Sequence, residues 1–390
     1  MSWSKVAASE AMLKRGGSVN PAKFPDEIFE LLSIPAYDIN QPEIALGSEI
    51  GSSKSCIEPN DVLLSKIIPH TRRCWVVPEK QEYRQIGSGE WIIFRDKRFD
   101  PIFLKYFLTS DGFHQQFMNT VAGVGGSLVR ARPAFVEKIE IPLPPLDEQK
   151  RIAAILDKAD AIRRKRQQAI QLADDFLRSV FLDMFGDPVT NPKGFKKAAI
   201  TELSDIITGF AFKSAEYVQD SESSVRLCRG ANTLTGYFEW KDTAYWDKGK
   251  LKGIENYLIN AGDIILAMDR PWISSGLKVC VFPENQRDTY LVQRVARIRA
   301  KKEIFTDYLY ACILSSAFEK HCCPTETTIP HISPVELKNF EVLLADESLI
   351  NRYHDVVSKV RKSLFSMESA LKESNNAFNS LSQKAFAGEL

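Results

Sequence analysis

The sequence predicts an α+β protein: two mixed α/β globular parts joined by two long antiparallel helices, laid out as an internal pseudo-two-fold repeat. Three observations carry this prediction. The chain has the length and composition of a multi-domain folded protein, its segments recur at an offset near 202 with small shifts, and two stretches keep helical periodicity over most of their length.

At 390 residues the chain exceeds one ordinary domain and predicts two or three. With 44% hydrophobic and 26% charged residues it can bury a sizeable core without disulfides or metals, which excludes a disordered chain. Lys+Arg 51 against Asp+Glu 50 leaves a net charge of +1, so any basic surface must be local. Seven scattered cysteines, an odd number, fit a reducing compartment better than a disulfide framework. The opening MSWSKVAASEAMLKRGG lacks an apolar core of signal-peptide length, and no apolar run approaches the ~18 residues that span a bilayer. A soluble, cytoplasmic protein is expected.

The repeat is legible in matched segments. Asp61-Val62-Leu63-Leu64-Ser65 is answered by Asp263-Ile264-Ile265-Leu266-Ala267 at an offset of 202, and Pro78-Glu79 by Pro283-Glu284. Asp100-Pro101-Ile102-Phe103-Leu104 has the acid and first-turn proline that open a helix, and Thr306-Asp307-Tyr308-Leu309 opens its counterpart. Ile139-Glu140-Ile141 matches Phe340-Glu341-Val342, and Ser179-Val180 matches Ser380-Leu381, both at 201.

Each copy ends in a long helix. In the first, Ile152, Ile155, Leu156, Ala159, Ile162, Ala169, Ala173, Phe176 and Val180 form one apolar seam between Pro144-Pro145 and Gly186-Asp187-Pro188. In the second, Val356, Val357, Val360, Leu364, Met367, Leu371, Phe378 and Leu381 do the same. Neither is expected to be stable alone, so the economical solution packs one on the other as a rod with a globular head at each end. The predicted boundaries are 1–144 and 187–345 for the heads, 145–186 for the central helix and 346–390 for the distal one.

Pro142-Leu143-Pro144-Pro145-Leu146-Asp147-Glu148-Gln149, followed by Ile152 and the long helix, closely resembles the junction in specificity subunits of type I restriction-modification systems. Ser380-Leu381-Ser382-Gln383-Lys384-Ala385-Phe386-Ala387-Gly388-Glu389-Leu390 is similar to the end of that family's distal helix, and Thr208-Gly209-Phe210-Ala211-Phe212-Lys213-Ser214 to a segment of its recognition domains. The first head has no counterpart of the Gly-Phe-Ala-Phe segment. The resemblance implies two target recognition domains, each reading one half of an asymmetric bipartite DNA site. It implies two methyltransferase subunits as partners and, in restriction complexes, translocase-nuclease subunits, with S-adenosylmethionine, ATP and Mg bound in those partners. The chain itself would be non-catalytic and hold no cofactor.

Enzyme motifs are missing where they are sought. Gly47 to Ser55 has the wrong glycine spacing for a phosphate loop and lacks Gly-Lys-Ser/Thr. No Asn-Pro-Pro-aromatic or Asp-Pro-Pro-aromatic tetrapeptide of an amino-methyltransferase occurs. His321-Cys322-Cys323 with His331 lacks the paired spacing of a zinc site, and Asp26-Glu27 reads as solvated surface, so no metal site is expected. DNA reading needs polar and cationic side chains on loops that reach base edges and phosphates. The first copy offers the Gly123–Arg132 tract with Ser127, Arg130 and Arg132, and a second patch of Lys66, His70, Arg72 and Arg73. The second offers Thr325 to His331, with Thr327 and Thr328, then Arg270 within Met268–Trp272, joined by Lys213, Arg226, Arg229 and Asn232. Arg163-Arg164-Lys165-Arg166 interrupts the first seam; spacer-phosphate contact and partner docking remain equal readings there. The rival in another class is a coiled-coil assembly scaffold that reads no sequence.

Overall fold

A computed structural model describes residues 3–122, 129–322 and 331–390. The chain forms two compact units, one from residues up to Gln168 together with Glu368–Leu390, the other from Ala169–Met367. Each unit is a mixed α/β head with segments of both long helices. These helices span Leu146–Phe185 and Glu347–Ala387, and no helix among the described residues is long and apolar enough to cross a membrane.

In the first unit Cys74–Val76, Val62–Ser65 and Trp91–Phe94 form an antiparallel sheet with Val62–Ser65 in the centre. The helices Pro101–Thr109 and Asp111–Met118 share a core with it through Phe94, Phe103, Leu104, Phe113 and Phe117. Asp100 caps the first of these helices, accepting from the Phe103 amide at 2.9 Å, with Pro101 at the first position as the sequence predicts. A five-stranded sheet lies beside them, in the order Ser18–Val19, Lys54–Cys56, Arg84–Gly87, Ile28–Leu32, Glu43–Leu46. Ser4–Ala7 pairs with Glu140–Leu143 and delivers the chain to the central helix.

The second unit repeats this order. Ser204–Thr208, Val295–Ala300, Ile264–Ala267 and Val279–Val281 form its antiparallel sheet, with helices Phe305–Ile313 and Ser316–Cys322 in the same core. Its second sheet is smaller: Ala244–Asp247, Ser224–Cys228 and Thr289–Leu291. Lys196–Ala199 pairs with Glu341–Leu344. The helix at Phe305 is not opened by Asp307. That acid is buried within it and receives His354 at 2.7 Å and Arg361 at 2.5 Å.

One buried ion pair ties each head together. In the first unit Asp61, 1% exposed, takes two bonds from Arg95 at 2.6 and 2.7 Å and one from the Glu58 amide at 2.8 Å. In the second, Asp263 takes two from Arg299, both at 2.7 Å, and one from the Asn260 amide at 2.7 Å. The acid that opens each repeat motif in the sequence is thus a buried half of an ion pair.

Within the first unit the long-helix segments run antiparallel: Arg151 donates to the Leu390 carbonyl at 2.8 Å, and Arg163 lies over the Phe378 ring at 4.4 Å. Ile152 and Leu156 are fully buried in the head's core, and Phe386 meets Phe103 and Phe107 edge-on. In the second unit Phe181 and Phe185 pack on Tyr308 and Tyr353. Periodicity placed Ile162 and Phe176 in the seam, yet they stand 45% and 51% exposed. A helix with one packed partner covers only a narrow stripe, and residues a turn off it stay in solvent. Each helix stops at a left-handed glycine, Gly186 at φ 79° and Gly388 at φ 76°, the conformation a side chain would disfavour.

Candidate nucleic-acid interface

The two heads build the same backbone frame at the end of the central strand. In the first, the Lys66 amide donates to the Glu90 carbonyl, the Ala131 amide to the Lys66 carbonyl, and Ile67 bridges Arg130. In the second, the Met268 amide donates to the Arg294 carbonyl, the Ile332 amide to the Met268 carbonyl, and Asp269 bridges His331. The next residue is left-handed in both, Ile68 at φ 46° and Arg270 at φ 45°. For non-glycine residues this conformation is uncommon, and its recurrence marks the turn as part of the duplicated design.

Onto this common frame the heads place different side chains. In the first, Glu90 holds Arg130 at 3.2 Å and approaches Lys66 at 3.8 Å; Lys66 also donates to the Gly89 carbonyl at 2.6 Å. Arg132 stacks over Phe135 at 4.0 Å and stays exposed. In the second, Arg294 stands where the first has Glu90, and the acid comes instead from Asp269, where the first has Ile67. Asp269 receives Arg294 and His331, each at 2.6 Å. Burial would raise its pKa, but these two hydrogen bonds outweigh that and hold the carboxyl below its usual range. Arg270 is exposed beside it.

The remaining candidates are dispersed. Arg72 turns to Asp111 at 2.5 Å and the Thr109 carbonyl, and Arg73 grips Asp38 with two bonds of 2.6 and 2.9 Å. Lys213 is 81% exposed, with Glu216 at 4.0 Å. Ser127, Thr327 and Thr328, with most of both candidate loops, lie outside the described residues.

Two of the candidate side chains are engaged inside the fold. Arg226 is 8% exposed, donates to Thr289 Oγ1 at 3.0 Å and Gln286 Oε1 at 2.9 Å, and lies 3.6 Å over the Trp240 ring; burial lowers its pKa. Asn232, 1% exposed, bonds the Arg229 amide and the Glu239 and Asp242 carbonyls, closing a loop that Arg229 also clamps through Asp242. Both side chains are buried and bonded within this head. Replacing Arg226 with Ala should lower the stability of this head by about 1.5–3 kcal/mol, the worth of a hydrogen bond to a charged group, as read by urea unfolding. DNA affinity of the protein that remains folded should not change.

The arginine run on the central helix is likewise mostly engaged. Arg163 and Arg164 pair with Asp160, and Arg166 donates to the Ala370 carbonyl and Ser374 hydroxyl of the distal helix. Lys165 alone of the four has no such partner among the described residues. The family-like motifs prove to be joints. Gln149 is fully buried, accepts from the Asp100 amide at 2.8 Å and donates to the Arg98 and Pro144 carbonyls, both at 2.9 Å. Gly209 opens a corner where a Cβ would sit 2.2 Å from the Val292 carbonyl, while Phe210 and Phe212 pack on Tyr257 and Trp246. His321 bonds the Glu336 carbonyl at 2.9 Å, and no group of three metal-ligating side chains forms among the described residues.

Each unit is thus a mixed α/β head that carries segments of both long helices and a frame with cationic side chains. The family model for the type I restriction modification DNA specificity domain matches residues 80–172. The chain is 27% identical over 265 residues to the type I restriction enzyme MjaVIII specificity subunit of Methanocaldococcus jannaschii, covering 64% of this chain and 61% of that protein. It is 26% identical over 189 residues to the EcoAI specificity subunit of Escherichia coli, covering 47% and 32%. The matches therefore span less than two thirds of either relative. The solved structure of a type I restriction-modification S subunit from M. genitalium shares the fold, at a TM-score of 0.56 and 12% identity over 99% of this chain and 96% of that one. Over these spans the chain is similar to specificity subunits of type I restriction-modification systems.

Proposed function

We propose that this chain reads an asymmetric bipartite DNA site, residues 1–144 recognising one half and residues 187–345 the other. It positions two methyltransferase subunits over the halves and, in a restriction complex, nuclease-translocase subunits as well. Base flipping, methyl transfer and any cleavage belong to those subunits, which bind S-adenosylmethionine, ATP and Mg. The observation that carries this proposal is the duplicated frame with unlike side chains: Lys66, Glu90 and Arg130 in one head, Asp269, Arg270, Arg294 and His331 in the other. One scaffold with two chemistries is what reading two different half-sites demands, because direct readout depends on which donors and acceptors meet the base edges. Exchanging residues 191–340 for those of a relative and mapping methylated positions should change one half of the site and spare the other. A change in both halves, or in neither, would reject modular reading.

A further inference from the structure

In the second head two basic side chains converge on Asp269. Its two oxygens hold Arg294 and His331, and Arg270 follows it directly in sequence. Lys278 is close enough for its charge to be felt by Asp269, although burial holds its ammonium below the ordinary range. Glu336 is the other carboxylate facing this group, and it is already engaged by the Ser333 amide at 2.8 Å in a helix cap. The local charge is therefore undercompensated. Arg294 has five N–H donors and a single described ion pair, made through one of them, with its side chain 71% exposed. Arg270 makes no ion pair among the described residues. Both arginines are left-handed, at φ 45° and 65°, two of seven such non-glycine residues in the described chain. Such strain persists only where the surrounding structure over-determines it, and here it sets the Cα–Cβ directions of both residues.

Resting on the function proposed above, we propose that Arg294 and Arg270 are DNA contacts of the second head and that Asp269 is the residue that positions Arg294. A polyanion fits the excess of fixed cations, and a planar guanidinium with free donors suits a phosphate or a guanine edge. The equivalent position in the first head is Glu90, so this contact belongs to one half-site only.

The test uses the full chain isolated with the subunits that accompany it, and duplex DNA of the mapped site and of mixed sequence as probes. Arg294→Ala and Arg270→Ala should each weaken binding about ten-fold and reduce the salt dependence by roughly one ion, with unchanged melting. Asp269→Asn should weaken binding as well, yet add nothing further to Arg294→Ala, because a positioning residue acts only through the group it holds. Lys302→Ala, which removes a surface pair with Glu347, should leave binding unchanged. Arginine variants that melt and bind as wild type overturn the proposal, and they decide the matter even where Asp269→Asn fails to fold. Full additivity of Asp269→Asn with Arg294→Ala overturns the positioning role. Wild-type protein that binds all sequences equally, but loses affinity in Arg294→Ala, removes sequence reading and keeps the contact. A sequence-selective wild type with an unaffected Arg294→Ala does the reverse.

Discussion

Replacing Arg299 with Ala should destabilise the second head by about 3–5 kcal/mol, more than removing its partner Asp263. The asymmetry follows from burial. Asp263 is 2% exposed and cannot recover hydration once its cation is gone, whereas Arg299, 34% exposed, can turn toward water if the acid is lost. In the first head the same logic is softened for the acid's removal, because Arg95 keeps Glu58 at 2.7 Å. Asp61→Ala should therefore cost less than Asp263→Ala. Hydrogen exchange across Ile264–Ala267 and Val62–Ser65 localises each effect to its own head. The double variant Asp263→Leu/Arg299→Met should be more stable than Arg299→Ala alone, since it leaves no buried charge. Equal losses in the single and double variants would show that packing at these positions, not charge pairing, sets the cost.

Gln149→Ala should be the next largest change, about 2–4 kcal/mol, because it strands the Asp100 amide and two carbonyls that the amide side chain satisfies. Gln149→Glu is expected to be little better. A carboxylate can still accept from Asp100, but it faces the Arg98 and Pro144 carbonyls with no proton to offer. The second copy places a buried Ile350 at the equivalent point, so the loss should be confined to the first unit. Urea unfolding combined with hydrogen exchange over Pro101–Thr109 measures it. A loss of under about 0.5 kcal/mol, as for an ordinary surface change, would contradict the role of this side chain as the joint between head and helix.

Much of the architecture was legible because a duplicated chain states its fold twice. The recurrence of Asp61 at Asp263, and of Ile139-Glu140-Ile141 at Phe340-Glu341-Val342, marks the same strand positions in both heads. Periodicity located the long helices, yet it could not say that Ile162 and Phe176 face water, since a seam shows which residues are apolar and not which are covered. The interface was less legible for a related reason. A cation in a sequence does not reveal its partner, so Arg226, bound to Thr289 and Gln286 some 60 positions away, looked as available as Arg270. Arg294 drew no notice because it stands as a lone base between Gln293 and Val295. Its signal lay in the repeat register, where it replaces Glu90, and in a backbone conformation that sequence does not display.

The division of the chain into its units also sets an order of assembly. The second unit is one continuous stretch, Ala169–Met367, while the first is closed by residues 368–390, among them Phe378, Ala385 and Phe386 against Tyr106, Phe103 and Phe107. During vectorial synthesis the stretch made first is therefore the one completed last. Until residues 368–390 emerge, an aromatic face of the first unit stays open while the second already has all its residues, and that interval is when the nascent chain is most exposed to misassociation.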